Sequence, residues 1–121
     1  MVATRQVILV VEDEPLLRLA AVDMVEDAGF EAVSAANAAQ AISILENRND
    51  IRLVFSDIDM LPGMDGIKLA AYIRDRWPPI AIILTSGIYA STDVTLPPNS
   101  LFFSKPYVER DILRAARRMI A

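Results

Sequence analysis

Residues 6–11 read Gln-Val-Ile-Leu-Val-Val, a short run almost free of polar side chains. A strand with one wet face alternates apolar and polar residues. A continuous apolar run of this length is what a strand buried on both faces needs. Four more such runs follow: Phe30 to Ser34, interrupted by Glu31, then Ile51 to Phe55, Ile80 to Leu84 and Leu101 to Phe103. Aromatic residues make up only 7% of a chain that is 54% hydrophobic, so the filling is Val, Ile, Leu and Ala. That suits buried parallel strands under Ala-rich helices.

Helical patterns lie between the runs. Glu14 and Pro15 open the first, since proline in a first turn forfeits only an N–H that has no partner there. Leu17, Ala20, Ala21, Met24 and Ala28 trace its buried face, and Gly29 ends it in a left-handed cap. Asn37 and Gln40 form a capping box before the stripe Ala38, Ala41, Ile42 and Leu45. Asn49-Asp50 marks a turn, and 60–66, with Pro62, Gly63 and Gly66, has loop composition. Leu69, Ala70, Ile73 and Trp77 line a third helix, closed by Pro78-Pro79. Val108, Ile112, Ala115, Ala116 and Met119 line the last, whose C-terminal Arg114, Arg117 and Arg118 suit the helix dipole. Residues 88–100 show no amphipathic period and carry Pro97-Pro98, so at most a turn or two of helix is expected there. Five strands alternating with four helices predict one α/β domain over 1–121, a doubly wound parallel sheet covered on both faces.

The absences narrow the chemistry. There is no Cys and no His. Thiol nucleophiles, zinc clusters, Ser-His-Asp triads and phosphohistidine carriers are therefore excluded. No apolar run spans a membrane and no signal peptide is legible, so a cytoplasmic location is expected. Sixteen acidic against twelve basic residues give a net charge of −4, against direct nucleic-acid binding.

Ligands of an open parallel sheet collect beyond the C-terminal ends of its strands. Glu12, Asp13 and Glu14 follow the first strand, Asp57 and Asp59 the third, Thr85 and Ser86 the fourth, and Lys105 the fifth. Carboxylates from neighbouring strand ends repel unless a cation neutralises them, and hard oxygen ligands suit Mg²⁺. The ion could hold a phosphoryl group over Asp57, whose carboxylate attacks phosphorus, with Lys105 and Thr85 contacting the phosphoryl oxygens.

These residues resemble the receiver domain of bacterial two-component response regulators, the CheY-like family. The match runs through VVEDE around Glu12 and Asp13, SDID with Asp57, PGMDG from Pro62 to Gly66, TSG at Thr85 and KPY from Lys105. The resemblance implies a flavodoxin-like sheet in the order 2-1-3-4-5, with two helices on one face and three on the other. It implies that Asp57 takes phosphate from a phosphohistidine on a histidine kinase or histidine phosphotransfer protein. Asp13 and Asp57 would ligate Mg²⁺ directly, Glu12 through water, and Asp59 by its backbone carbonyl. Thr85 and Lys105 would contact the phosphoryl group. Phe102 occupies the aromatic switch position, turning inward as Thr85 moves toward phosphate.

Three departures stand out. Glu12 replaces the more frequent Asp. Leu61 looks inserted, putting Pro62 five residues after Asp57 instead of four. The 88–100 segment replaces most of the usual fourth helix, so that helix is expected to be short or irregular and the protein a monomer or weak dimer. Output would pass to a downstream protein target, with no turnover of an external substrate. Two rivals are a Mg²⁺-dependent phosphatase of the haloacid dehalogenase kind, which would use Asp57-Ile58-Asp59 but expects the acidic pair late in the chain, and a phosphorylation-independent protein-binding module.

Overall fold

The computed structural model describes residues 5–59, 64–88 and 95–121. The elements are β1 (Val7–Val11), α1 (Pro15–Asp27), β2 (Glu31–Ala35), α2 (Ala38–Asn47), β3 (Ile51–Asp57), α3 (Gly66–Arg76), β4 (Ala81–Ser86), β5 (Ser100–Ser104) and α4 (Glu109–Met119). All strand pairs are parallel and the order is β2-β1-β3-β4-β5. The chain therefore reverses its direction of travel across the sheet between β1 and β3, and a crevice opens above that switch point.

The apolar runs feed two cores, one on each face. Val7, Leu9 and Val11 of β1 pack with α2 and α3 through Ala41, Leu45, Leu69 and Ile73. Ile8 and Val10 point the other way, toward Met24 and Val25 of α1 and Ile112 and Ala116 of α4. One irregularity sets the phase in β3. Val7 pairs with Ile51 and Ile8 with Leu53, so Arg52 is an extra residue in the ladder. The bulge leaves Arg52 exposed and lets Ile51 and Val54 share the α2/α3 face, which a regular strand would forbid at that spacing.

The caps follow from local chemistry. Glu14 accepts the Leu16 N–H (3.1 Å), Asn37 the Gln40 N–H (2.8 Å) and Asp65 the Lys68 N–H (2.8 Å), each satisfying a donor the helix cannot. Gln40 reaches back to the Ala36 N–H at 2.7 Å, one residue earlier than a capping box prescribes. Gly29 sits at φ +96°, the left-handed position expected of it.

The structure corrects the sequence reading in several places. The buried face of α1 is Ala21, Met24 and Val25, while Leu17 is 50% exposed and Ala20 also faces solvent. Residues 16–20, Leu-Leu-Arg-Leu-Ala, are apolar nearly all round the helix, so periodicity alone does not fix the face. Val108 caps α4 from an exposed position instead of lining it. β2 starts one residue later than expected, while β3, β4 and β5 run on into their polar ends because the ladder continues through Asp57–Thr85 and Ser86–Ser104. Gly66 opens α3 and is buried. The inserted Leu61 and Pro62 lie outside the described residues. In the 88–100 segment, residues 95–99 are coil and turn, and 89–94 lie outside the described residues. Among the described residues there are four helices, α2 and α3 on one face and α1 and α4 on the other, without the third helix implied for one face. None of them is long and apolar enough to cross a membrane.

Candidate phosphoacceptor and metal site

Parallel strands carry their C-terminal residues to one edge, so Glu12, Asp57, Thr85 and Lys105 emerge together above the β1/β3 switch point. Glu12 and Asp57 are both more than nine-tenths buried. The Glu12 backbone is held from two sides: its N–H donates to the Ala35 carbonyl (3.1 Å), and its own carbonyl accepts from Arg18 Nη1 (2.9 Å). Asp57 pairs in register with Thr85, and the Ile58 N–H donates to the Thr85 carbonyl at 2.8 Å, so the two strand ends cannot slide apart. Lys105 follows β5, and its N–H donates to the Ser86 carbonyl at 2.8 Å. Its ammonium then lies 3.3 Å from Asp57 Oδ2 and 3.7 Å from Glu12 Oε1.

Carboxylate oxygens of Glu12, Asp13 and Asp57 lie within 4.8 Å of one another, with Asp13 exposed at the mouth. The electrostatics are unbalanced. Burial first, then the neighbouring Asp13 and Asp57, push Glu12 up to about 7 against the opposing Glu14 N–H and Lys105 ammonium. Burial likewise raises Asp57, partly offset by Lys105 and by the Asp59 N–H. One ammonium does not compensate three carboxylates. A divalent cation with a preference for hard oxygen ligands does, so the donor set fits Mg²⁺. The residual cleft, about 40 Å³ and lined by Leu17, Asp57, Thr85, Lys105 and Tyr107 among others, is large enough for an ion or water but not for an organic substrate. Among the described residues the larger cleft, about 680 Å³, lies at the other end of the sheet around Arg52, Arg76 and Trp77 and contains none of these groups.

Three features escaped the sequence reading. The Asp59 carboxylate does not join the acidic cluster; Ser86 Oγ donates to both its oxygens (3.1 and 2.9 Å) and the Gly87 N–H donates to Oδ2 (3.2 Å). Its own N–H donates to Asp57 Oδ1 at 3.3 Å. Asp59 thus ties the end of β3 to the turn after β4. Tyr107 lines the cleft with its ring edge-on to Phe55 (5.9 Å, 75°), and burial together with Glu109, Glu12 and Asp57 raises its phenol. Gly66 is a close-approach glycine: a Cβ there would stand 2.4 Å from the Asp57 carbonyl oxygen and 2.7 Å from Ile58 Cα. The TSG and KPY strings hold the partners in the first two cases, but no periodicity announces a cross-strand hydrogen bond. Phe102, the expected switch residue, stands opposite Leu84 and is partly buried against the core on the α2/α3 face. Its neighbour Phe103 packs on the α1/α4 face.

Known proteins are similar to this chain in sequence and fold. The sensor protein TorS of Escherichia coli is 32% identical over 109 residues, covering 88% of this chain but 12% of its own length. The response regulator receiver protein CpdR of Brucella abortus is 30% identical over 116 residues, covering 93% of this chain and 95% of its own. The chain thus spans a small part of the one and nearly all of the other. The crystal structure of the response regulator protein TrrA from Thermotoga maritima in complex with Mg²⁺-BeF superposes with a TM-score of 0.83 at 26% identity, over 94% of this chain and 98% of that one. The family model described as the response regulator receiver domain matches residues 8–117, nearly the whole span from β1 to α4, and the chain belongs to that family.

Proposed function

We propose that Asp57 accepts a phosphoryl group from a phosphohistidine on a histidine kinase or histidine phosphotransfer protein, and that the modified domain changes its contacts with a downstream protein. The observation that carries this is a buried carboxylate at a strand end, 3.3 Å from an ammonium, with two further carboxylates in reach. In the transfer, a lone pair on an Asp57 oxygen forms the new bond to phosphorus. The phosphorus–nitrogen bond breaks and its electron pair leaves with the imidazole, giving an acyl phosphate. Lys105 meets the added negative charge, and the Thr85 hydroxyl offers a hydrogen bond to a phosphoryl oxygen. Glu12, Asp13 and Asp57, with the Asp59 carbonyl, would hold Mg²⁺, which neutralises charge on the transferring oxygens when bound. The Mg²⁺-BeF complex of TrrA supports that pairing of ion and phosphoryl mimic.

In this reading the whole of 1–121 is one receiver domain, acting in the cytoplasm without direct nucleic-acid contact. A protein donor has to reach Asp57 across the rim, where Leu17 and Ile88 expose apolar surface beside the strand ends. Phosphate pulls the Thr85 hydroxyl, and Phe102 turns into the space it leaves. The domain is an acceptor that assists its own modification. Incubation with acetyl phosphate and Mg²⁺ should add a single phosphoryl mass, and Asp57→Asn should abolish it. The same adduct on the Asn variant would overturn the assignment.

A further inference from the structure

The helices α1 and α4 lie side by side over one face of the sheet, and their outward surfaces carry opposite charge. On α1 the solvent stripe opposite Ala21, Met24 and Val25 is Leu16, Leu19, Asp23, Glu26 and Asp27. On α4 the stripe opposite Ile112 and Ala116 is Arg110, Asp111, Arg114 and Arg118. Acidic residues at the end of α1 work against its dipole, so the helix itself does not favour them there. Among the described residues, none of these charged groups has an oppositely charged partner: the ion pairs lie at Arg48, Arg76 and Lys105. Arg117 is different, since it faces α1, donates to the Ala28 carbonyl (3.3 Å) and covers Phe30.

That Arg117 contact fixes the relative level of the two helices. Both follow parallel strands and so run in the same direction, and their C-terminal ends coincide. At 1.5 Å per residue, Asp23, Glu26 and Asp27 then stand level with the Arg110–Arg118 stripe, and exposed Leu19 with exposed Val108. Two adjacent stripes of opposite sign at one level are self-complementary about a twofold axis running along the helices, which lays α1 of one molecule on α4 of the other. We propose that this face is a docking surface for a second copy of the chain, with Asp23, Glu26 and Asp27 of each molecule against Arg110, Arg114 and Arg118 of the other. Single exposed ion pairs contribute little, so the association is weak and salt-dependent. It uses neither the 88–100 segment nor phosphorylation.

The test is a pair of complementary variants. Arg114→Glu/Arg118→Glu makes the face predominantly acidic, with only Arg110 still basic, and Asp23→Arg/Asp27→Lys makes it predominantly basic, with only Glu26 and Asp111 still acidic. In sedimentation velocity neither variant should self-associate, while an equimolar mixture should form a heterodimer at least about tenfold tighter than either variant with itself, weakening as added salt shortens the Debye length. Circular dichroism checks that both variants fold. Small-angle scattering of the unmodified chain should show mass rising with concentration at low salt and falling back at high salt. A mixture that stays monomeric would overturn the proposal and leave the stripes to a different protein. Dimerisation unchanged by either charge reversal would overturn it equally. Acetyl phosphate labelling of Asp57, measured on the same samples, reports separately on the phosphoacceptor assignment.

Discussion

Glu12 carries the site's imbalance in a single side chain. Its carboxyl is pushed from 4.5 to about 7, chiefly by burial. Between those values the folded protein retains a proton that the unfolded chain has released, so raising the pH weakens folding. Without divalent ions, the Glu12 contribution to stability should therefore be fullest below about pH 4.5, decline toward pH 7 and level off above it. Glu12→Gln should remove that part of the slope, and Mg²⁺ at neutral pH should offset the loss. Urea titrations of both proteins across this range decide it; identical slopes would show that Glu12 is not the source. Lys105 is the complementary case, the ammonium that faces Asp57 and Glu12. Lys105→Met keeps the stem and removes the charge. Phosphorylation should slow at least about tenfold, as when one preorganised charge is lost from a reacting centre. Rapid-quench kinetics on a variant with unchanged circular dichroism would check it.

At the scale of elements, the site depends on how closely α3 starts to β3. The Gly66 N–H donates to the Ile58 carbonyl at 3.1 Å, and no room remains for a methyl group. Both neighbours are backbone, so Gly66→Ala must move the helix or the strand end. It should destabilise the domain by about 1–3 kcal/mol and slow phosphorylation as well, because the displaced residue is Asp57. Denaturant midpoints and labelling rates read the two effects. Gly66 also shows where the sequence is legible and where it is not. The strands could be read because burial on both faces leaves continuous apolar runs, and the functional ends could be read because a parallel sheet sends them all one way. The face of α1 is legible only in part: the spacing gives Ala21 and Met24, but it also takes in Leu17 and Ala20, which only the packed structure turns to solvent. The Asp59 contact to Ser86 and Gly87 is not legible: the residues are 27 and 28 positions apart, and local pattern does not encode a pairing across two strands.

Across the whole molecule, phosphate at Asp57 has to reach a partner through whatever moves least expensively. Strands β1, β3 and β4 are sealed between two cores, and Ile82, Ile83 and Leu84 are fully buried. The turn after β4 is held by the Asp59 carboxylate, next to the residue that changes charge. Amide hydrogen exchange with and without beryllofluoride should change more at Ile88 and residues 95–100 than in α1 and α2. Larger changes in the first two helices would place the output surface there.

The strand polarity that gathers the chemistry at one end has an optical consequence. Trp77 is the sole tryptophan, and it closes α3 at the opposite end of the sheet under the Arg76 guanidinium. The seven residues of β3 put about 20 Å between the two ends at roughly 3.3 Å per residue. Indole emission should therefore stay constant while Mg²⁺ and beryllofluoride are added, and shift only when the domain unfolds. The chain thus carries a fluorophore that reports folding while remaining blind to signalling, and a titration monitored at Trp77 would expose any rearrangement that travels the full length of the sheet.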